Sequence, residues 1–79
     1  MKEQIYKIIA KYTGKKEFDD DSALQLDLEM DSFQLMSMSL ELEKTFQIKI
    51  DLDDLAEILT VGDVVTCIEK SLSAKKENL

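Results

Sequence analysis

The 79-residue sequence contains no histidine, arginine, proline or tryptophan, only two glycines, and a single cysteine, Cys67. Without histidine, a serine or cysteine nucleophile has no usual general base, so hydrolase chemistry of the Ser–His or Cys–His kind is not expected. One cysteine forms no internal disulfide and supplies too few ligands for a zinc site. These absences predict a non-catalytic protein without a metal site, in a reducing, cytoplasmic location.

The lack of proline and the scarcity of glycine favour a mostly helical chain with few sharp turns. The length predicts one domain, and 44% hydrophobic residues suffice for a compact core. Lys and Glu interrupt the apolar residues at the start of the chain, so we expect neither a signal peptide nor membrane insertion. We predict a domain over residues 1–74 and a frayed tail over 75–79, where the apolar periodicity has ended.

Negative charge dominates the middle of the chain. The net charge is −7, and fifteen of the seventeen acids lie between residues 17 and 69. This distribution predicts repulsion of nucleic acid and attraction of basic protein partners. The alternative interpretation is that the acidic surface only keeps a small protein soluble. Neither acidic cluster fits a calcium-binding EF-hand loop, because apolar residues occupy the fifth and sixth loop positions, where an oxygen ligand and a glycine are required.

Helical periodicity begins at the N-terminus. The spacing of Ile5, Ile8, Ile9 and Tyr12 predicts a helix over Lys2–Thr13, and Gly14 is typical of a helix end. Residues 15–31 lack this period and predict a long ordered loop, which is unusual in so small a domain and more often functional than idle. We expect four apolar side chains to anchor this loop: Phe18, Leu24, Leu26 and Leu28.

A second helix is predicted from Ser32 or Phe33 to Phe46, with Asp31 or Ser32 as its N-cap. It has two apolar stripes. The first should face the core and consists of Leu35, Met38, Leu42 and Phe46. The second is turned away from the first, should be partly exposed, and consists of Phe33, Met36 and Leu40.

The C-terminal third predicts a short extended piece, a brief helix near residues 53–58, and a last helix. Thr60 with Asp63 three residues later is typical of a capping box. The apolar face of the last helix comprises Val61, Val64, Val65, Ile68 and Leu72. The sequence therefore predicts an all-α four-helix bundle with three longer helices, one short third helix and a long ordered loop after the first.

The stretch "LDLEMDSFQLMSMSLELEKTF", residues 26–46, resembles the modification site and second helix of an acyl carrier protein. The first helix, the acidic loop, the Ile-x-Ile before the third helix and "LTVGDVV" extend the resemblance over nearly the whole chain. The resemblance implies that Ser32 bears a 4′-phosphopantetheine arm, transferred from coenzyme A by a separate phosphopantetheinyl transferase. The thiol of the arm would hold acyl intermediates as thioesters for fatty-acid, polyketide or specialised lipid biosynthesis, and the chain itself would catalyse nothing.

The resemblance also implies roles for other residues. Asp31 would support attachment of the arm by helping to hold the magnesium ion of the transferase. A surface for partner enzymes would comprise Phe33, Met36, Leu40, Glu41 and Glu43, and the walls of an acyl-chain pocket would be Leu42, Phe46, Val64 and Ile68. The partners would be acyl-transfer, synthase or ligase enzymes with basic docking patches, served by a monomeric carrier. Without the resemblance, Asp31 and Ser32 would be caps alone, and the pocket residues would be core.

Four positions depart from the family pattern. Glu29 stands where glycine is usual, so the turn must form without the conformational freedom of glycine. Gln34, Ser37 and Lys44 stand where acids are frequent, which favours a specialised carrier with dedicated partners. Two alternatives stay open: a D-alanyl carrier protein for teichoic acid modification, and an unmodified helical module that binds a partner through the second stripe.

Overall fold

The computed structural model describes the backbone of residues 1–77 and the side chains of residues 1–74. It contains four helices: α1 (Lys2–Thr13), α2 (Ser32–Phe46), α3 (Leu52–Glu57) and α4 (Val61–Glu77). No strand forms within the described part, and the predicted all-α fold is confirmed. Helix α4 includes residues 75–77 of the tail that was predicted to fray, and residues 78–79 lie outside the described residues. The tail and the domain boundary therefore stay predictions.

The core is built from the apolar faces that the periodicity predicts. Helix α1 contributes its three isoleucines, α2 two residues of its first stripe, and α4 three residues of its apolar face. The loop between α1 and α2 adds three more side chains to this core. The buried set is Ile5, Ile8, Ile9, Leu24, Leu28, Met30, Met38, Leu42, Val61, Val64 and Ile68.

The ends of two helices form as their sequences predict. Gly14 ends α1 in the left-handed region, at φ 77°, and its N–H donates to the Ala10 carbonyl. At the start of α4, the Asp63 N–H donates to Thr60 Oγ1 at 3.1 Å. Asp63 Oδ2 accepts from the backbone N–H groups of Leu59 and Thr60, and these two bonds lower the pKa of the Asp63 carboxyl. The predicted capping box is confirmed.

The loop between α1 and α2 is held by the segment that precedes α4. The Leu24 N–H donates to the Leu59 carbonyl at 2.9 Å, and the Val61 N–H donates to the Ser22 carbonyl at 3.0 Å. These bonds flank a single antiparallel bridge between Ala23 and Thr60. This pairing was not predicted, because one bridge leaves no strand-like period on either side.

One predicted loop anchor is wrong. Leu24 and Leu28 are buried and Phe18 stacks on Tyr6, but Leu26 is 87% exposed. The alternation of leucines suggested an extended segment, whereas the Asp27 N–H donates to the Ala23 carbonyl four residues earlier. This helical turn places Leu24 and Leu28 on one side and Leu26 on the other.

Candidate functional site

Ser32 is the first residue of α2 and is exposed to solvent. Its hydroxyl makes no hydrogen bond within the described part of the chain. The cap is Asp31, whose Oδ1 accepts from the Gln34 N–H at 2.8 Å, while Gln34 Oε1 accepts from the Asp31 N–H at 3.0 Å. The choice between Asp31 and Ser32 as cap is thus resolved, and Ser32 keeps a free hydroxyl at a helix N-terminus.

Gln34 also joins the start of α2 to the end of α1. Its Nε2 donates to the Tyr12 carbonyl at 2.8 Å. Nearby, Thr13 Oγ1 donates to the Leu28 carbonyl at 2.7 Å, so the segment that leads into Ser32 is fixed to the same helix end. We did not predict these contacts, although the Asp-x-x-Gln spacing from Asp31 is itself a capping-box signal.

Glu29 forms the turn before the site in a backbone conformation that glycine normally adopts. Its φ is 56°, in the left-handed region, and its side chain pairs with Lys15 at 3.2 Å. Met30 follows with 2% of its surface exposed, and its N–H donates to the Leu24 carbonyl at 3.0 Å. The turn therefore forms without glycine, as the sequence required, because buried and hydrogen-bonded residues surround it.

The N-terminus of α2 is chemically suited to a phosphate group. The first N–H groups of a helix have no intrahelical acceptor, and the helix dipole places partial positive charge there. A phosphoryl group on Ser32 Oγ would meet these groups directly. The Asp31 carboxylate next to it opposes a second anion but is a suitable ligand for a divalent cation.

The second stripe of α2 is exposed, as predicted. Phe33 is 79% exposed, Met36 51% and Leu40 58%. Spacings of three and four residues place these side chains on one face of the helix. This exposed face begins at Phe33, next to Ser32.

The two acids predicted to face partner enzymes make hydrogen bonds within the chain. Glu41 Oε1 accepts from the Tyr12 hydroxyl at 2.6 Å and from Lys11 Nζ at 3.0 Å, and the two bonds lower the pKa of the Glu41 carboxyl. Glu43 Oε2 accepts from the Ile50 N–H at 2.7 Å. Both acids therefore hold the fold, and their role in partner binding stays a prediction.

The four predicted pocket residues lie together in the interior. Leu42, Val64 and Ile68 belong to the buried core, and Phe46 packs against it partly exposed. An acyl chain that entered between them would have to displace this packing, because protein interiors are close-packed. Their role as pocket walls stays a prediction.

Comparison with known proteins places the chain among carriers. The sequence model of the family described as "Phosphopantetheine attachment site" matches residues 3–68. An acyl carrier protein of Exiguobacterium sp. (strain ATCC BAA-1283 / AT1b) is 39% identical over 70 residues, which cover 89% of this chain and 81% of that protein. A non-reducing polyketide synthase of Emericella nidulans is 35% identical over 78 residues, 96% of this chain and 3% of the synthase.

A solved structure from Mycobacterium tuberculosis, assigned as an acyl carrier protein, has a similar fold. Its TM-score is 0.83 at 33% identity, and the match covers 86% of this chain and 93% of that chain. No helix in the described residues combines the length and apolar character needed to cross a membrane.

Proposed function

The chain belongs to the acyl carrier protein family, whose cofactor is phosphopantetheine, and we propose that Ser32 is the residue to which the arm is attached. The observation that supports this assignment is the exposed Ser32 hydroxyl, free of hydrogen bonds among the described residues, at the first position of α2. Two of the other serines are less suitable: Ser39 is buried and donates to the Met36 carbonyl, and the Ser22 hydroxyl is held by Asp19.

The residues around Ser32 fit the cofactor. The Ser32 hydroxyl loses its proton and its oxygen forms the phosphodiester, while the pyrophosphate bond of coenzyme A breaks and adenosine 3′,5′-bisphosphate leaves. The N–H groups of the first turn of α2 stabilise the added charge. The Asp31 carboxylate lies beside this oxygen in sequence and, we propose, helps to hold the magnesium ion that accompanies coenzyme A in the transferase. When bound, the arm supplies a terminal thiol that holds an acyl group as a thioester.

The chain acts as a non-catalytic carrier in this proposal. A phosphopantetheinyl transferase first attaches the arm to Ser32, and the chain then presents the acylated arm to acyl-transfer, synthase or ligase enzymes. Phe33, Met36 and Leu40 form the exposed face next to the arm and bind these enzymes. An inserted acyl chain lies against Leu42, Phe46, Val64 and Ile68.

The pathway is a specialised one in this proposal, of the polyketide or modified-lipid kind. Gln34, Ser37 and Lys44 replace acids that are frequent in the family. Lys11 lies 3.0 Å from Glu41 and offsets its charge, so α2 presents less acidic charge to partners than its composition suggests. A segment of a non-reducing polyketide synthase is among the relatives, which supports this class of pathway.

The test is covalent loading. The purified chain is incubated with coenzyme A, Mg²⁺ and a broad-specificity phosphopantetheinyl transferase, and its intact mass is measured. We expect a gain of one phosphopantetheinyl group, and no gain for Ser32→Ala, whose fold should be intact because the Ser32 hydroxyl makes no hydrogen bond with a described residue. Loading of Ser32→Ala, or no loading of the parent chain beside a control carrier that is converted, would refute the assignment.

Asp31 allows a matched control for the same experiment. Asn caps helices as well as Asp does, so Asp31→Asn should keep the thermal stability of the parent. It removes the carboxylate, and we expect loading to slow by about tenfold or more, the usual effect of losing a group that supports a metal site. Asp31→Ala should lose both stability and loading rate, and equal loading rates for Asp31→Asn and the parent would limit Asp31 to its capping role.

A further inference from the structure

The segment that carries Ser32 is attached to the end of α1 at two points. On its N-terminal side, Thr13 Oγ1 donates to the Leu28 carbonyl at 2.7 Å. On its C-terminal side, Gln34 Nε2 donates to the Tyr12 carbonyl at 2.8 Å. Two adjacent residues of α1 therefore hold the segment on both sides, and the exposed Ser32 lies between these two points in the chain.

The side-chain amide of Gln34 makes two hydrogen bonds that need different groups. Its Oε1 accepts from the Asp31 N–H at 3.0 Å, and its Nε2 donates to the Tyr12 carbonyl. The N–H lies at the start of α2 and the carbonyl at the end of α1, where helices leave such groups without an intrahelical partner. An amide carries an acceptor and donors on one planar group, so Gln34 satisfies both helix ends at once.

An acid at this position could make only one of the two bonds. Glutamate also suits a capping box, so it would keep the bond to the Asp31 N–H. Its carboxylate has no hydrogen to donate, however, and would place a negative oxygen against the Tyr12 carbonyl oxygen. The chain therefore has glutamine, where acids are frequent in the family, at a position where an acid would lose the contact with α1.

We propose that Gln34 is a positioning residue of the attachment site, because its amide fixes the Asp31–Ser32 step to the end of α1 and so holds the Ser32 hydroxyl in one place for transfer of the arm. The inference rests on the proposed function of Ser32 as the attachment residue. Gln34 is half-buried and its amide contacts α1, whereas Ser32 is exposed. Gln34 thus acts through the backbone at the start of α2, and a small displacement of a reacting group is enough to slow a reaction strongly.

The test compares rates of covalent loading. The parent chain, Gln34→Glu and Gln34→Met are each incubated with coenzyme A, Mg²⁺ and a broad-specificity phosphopantetheinyl transferase, and kcat/KM is measured from the intact mass over time. We expect Gln34→Glu to lower kcat/KM about fivefold or more, because the bond to the Tyr12 carbonyl is lost. The added negative charge alone would act in the opposite direction, since it would speed association with a basic partner. Gln34→Met is uncharged and makes neither bond, so it should load no faster than Gln34→Glu.

Thr60→Val controls for a general loss of stability. It removes the hydroxyl that accepts from the Asp63 N–H at the start of α4, a bond outside the segment of residues 28–34. It should lower the midpoint of thermal unfolding about as much as Gln34→Glu does, and leave kcat/KM within about twofold of the parent. Loading of Gln34→Glu or Gln34→Met at the parent rate, or equal slowing by Thr60→Val, would overturn the inference.

Backbone order in the unmodified chain gives a second measurement that needs no transferase. In ¹⁵N relaxation, the amides of Asp31, Ser32 and Phe33 should have order parameters of about 0.85 in the parent and in Thr60→Val, and lower values in Gln34→Glu. If the parent fails to load beside a control carrier that is converted, the proposed function fails and the order parameters alone decide. Lower values in Gln34→Glu would then still show that Gln34 holds the segment, and unchanged values would overturn the inference.

Discussion

At the scale of single residues, Asp31 and Ser32 have separate roles at the proposed attachment site. Asp31 and Ser32 both suit a helix N-cap by residue type, but only Asp31 makes the capping bonds. Gln34 completes the capping box and binds the Tyr12 carbonyl, so the start of α2 is fixed without the Ser32 hydroxyl. A serine whose hydroxyl makes no hydrogen bond within the fold can be modified without a loss of fold stability.

The left-handed backbone of Glu29 can be tested by replacing this residue with glycine. A non-glycine residue in the left-handed region destabilises the fold by about 1–2 kcal/mol. The exposed ion pair of Glu29 with Lys15 offsets about 0–1 kcal/mol of this. Glycine removes the strain but raises the entropy of the unfolded chain. We expect Glu29→Gly to raise the free energy of unfolding by about 0.5 kcal/mol, measured by urea denaturation.

The control for Glu29 is Glu17→Gly, at an exposed loop position with an ordinary φ. Without strain to relieve, this variant should lose about 0.5–1 kcal/mol. Glu29→Ala keeps the strain and removes the ion pair, so it should be no more stable than the parent. If Glu29→Gly proves as destabilising as Glu17→Gly, the turn is not strained by its side chain.

Residue types predicted some of these details and missed others for a physical reason. Gly14, the Thr60–Asp63 box and the exposed Phe33, Met36 and Leu40 follow from local spacing, which the sequence displays directly. The exposure of Leu26 depends on a turn closed by Asp27, and the engagement of Glu41 depends on Tyr12, 29 positions away. The leucine alternation in that turn is also typical of a strand, and a contact over 29 positions leaves no periodic trace in a single sequence.

At the scale of elements, carbonyl groups of the loop after α1 accept hydrogen bonds from the first N–H groups of α4, beside the Thr60–Asp63 capping box. The Val61 N–H donates to the Ser22 carbonyl, and the Gly62 N–H donates to the Asp20 carbonyl at 2.8 Å. These are two of the helix donors that have no intrahelical acceptor. The Asp20 side chain is itself held by Lys2 and Tyr6, so α1, the loop and α4 form one connected unit. The long loop is therefore part of the bundle and positions the segment that leads to Ser32.

Gly62 tests this contact, because a Cβ added there would lie 3.1 Å from the Asp20 carbonyl oxygen. Leucine is a better helix former than glycine by about 0.8 kcal/mol, so helix propensity alone predicts a gain. We expect Gly62→Leu instead to destabilise the fold by about 1–3 kcal/mol, as overpacking does. In hydrogen exchange, the amides of Leu24 and Val61 should lose protection first.

Thr66→Leu is the matched variant, at an exposed position on the same helix. It should change the free energy of unfolding by no more than about 0.5 kcal/mol. If Gly62→Leu were as stable as Thr66→Leu, or if its lost protection lay outside the loop and the start of α4, the loop would not be closely fitted to α4.

At the scale of the whole molecule, the fold class was predictable and the charge balance was only partly so. Four amphipathic segments and the absence of proline were sufficient to predict the helices and most of the core, since burial follows the 3.6-residue period. The same sequence shows lysines near the N-terminus and acids in the middle, but not which charges meet. The described ion pairs all join lysines of α1 and the residues after it to acids of the loop and α2.

This balance predicts the effect of salt on stability. Each of the three exposed ion pairs contributes about 0–1 kcal/mol to stability. The net charge of −7 acts against them, because the excess acidic side chains repel one another across so small a fold. Added salt screens both terms, and we expect the repulsion to be the larger. The midpoint of thermal unfolding at pH 7 should therefore rise from low salt to about 0.5 M NaCl.

The double variant Glu57→Gln/Glu69→Gln removes two exposed acids and should begin with a higher midpoint and show a smaller rise. A midpoint that falls with salt in the parent chain would mean that the ion pairs of Lys2, Lys11 and Lys15 outweigh the repulsion among the acids.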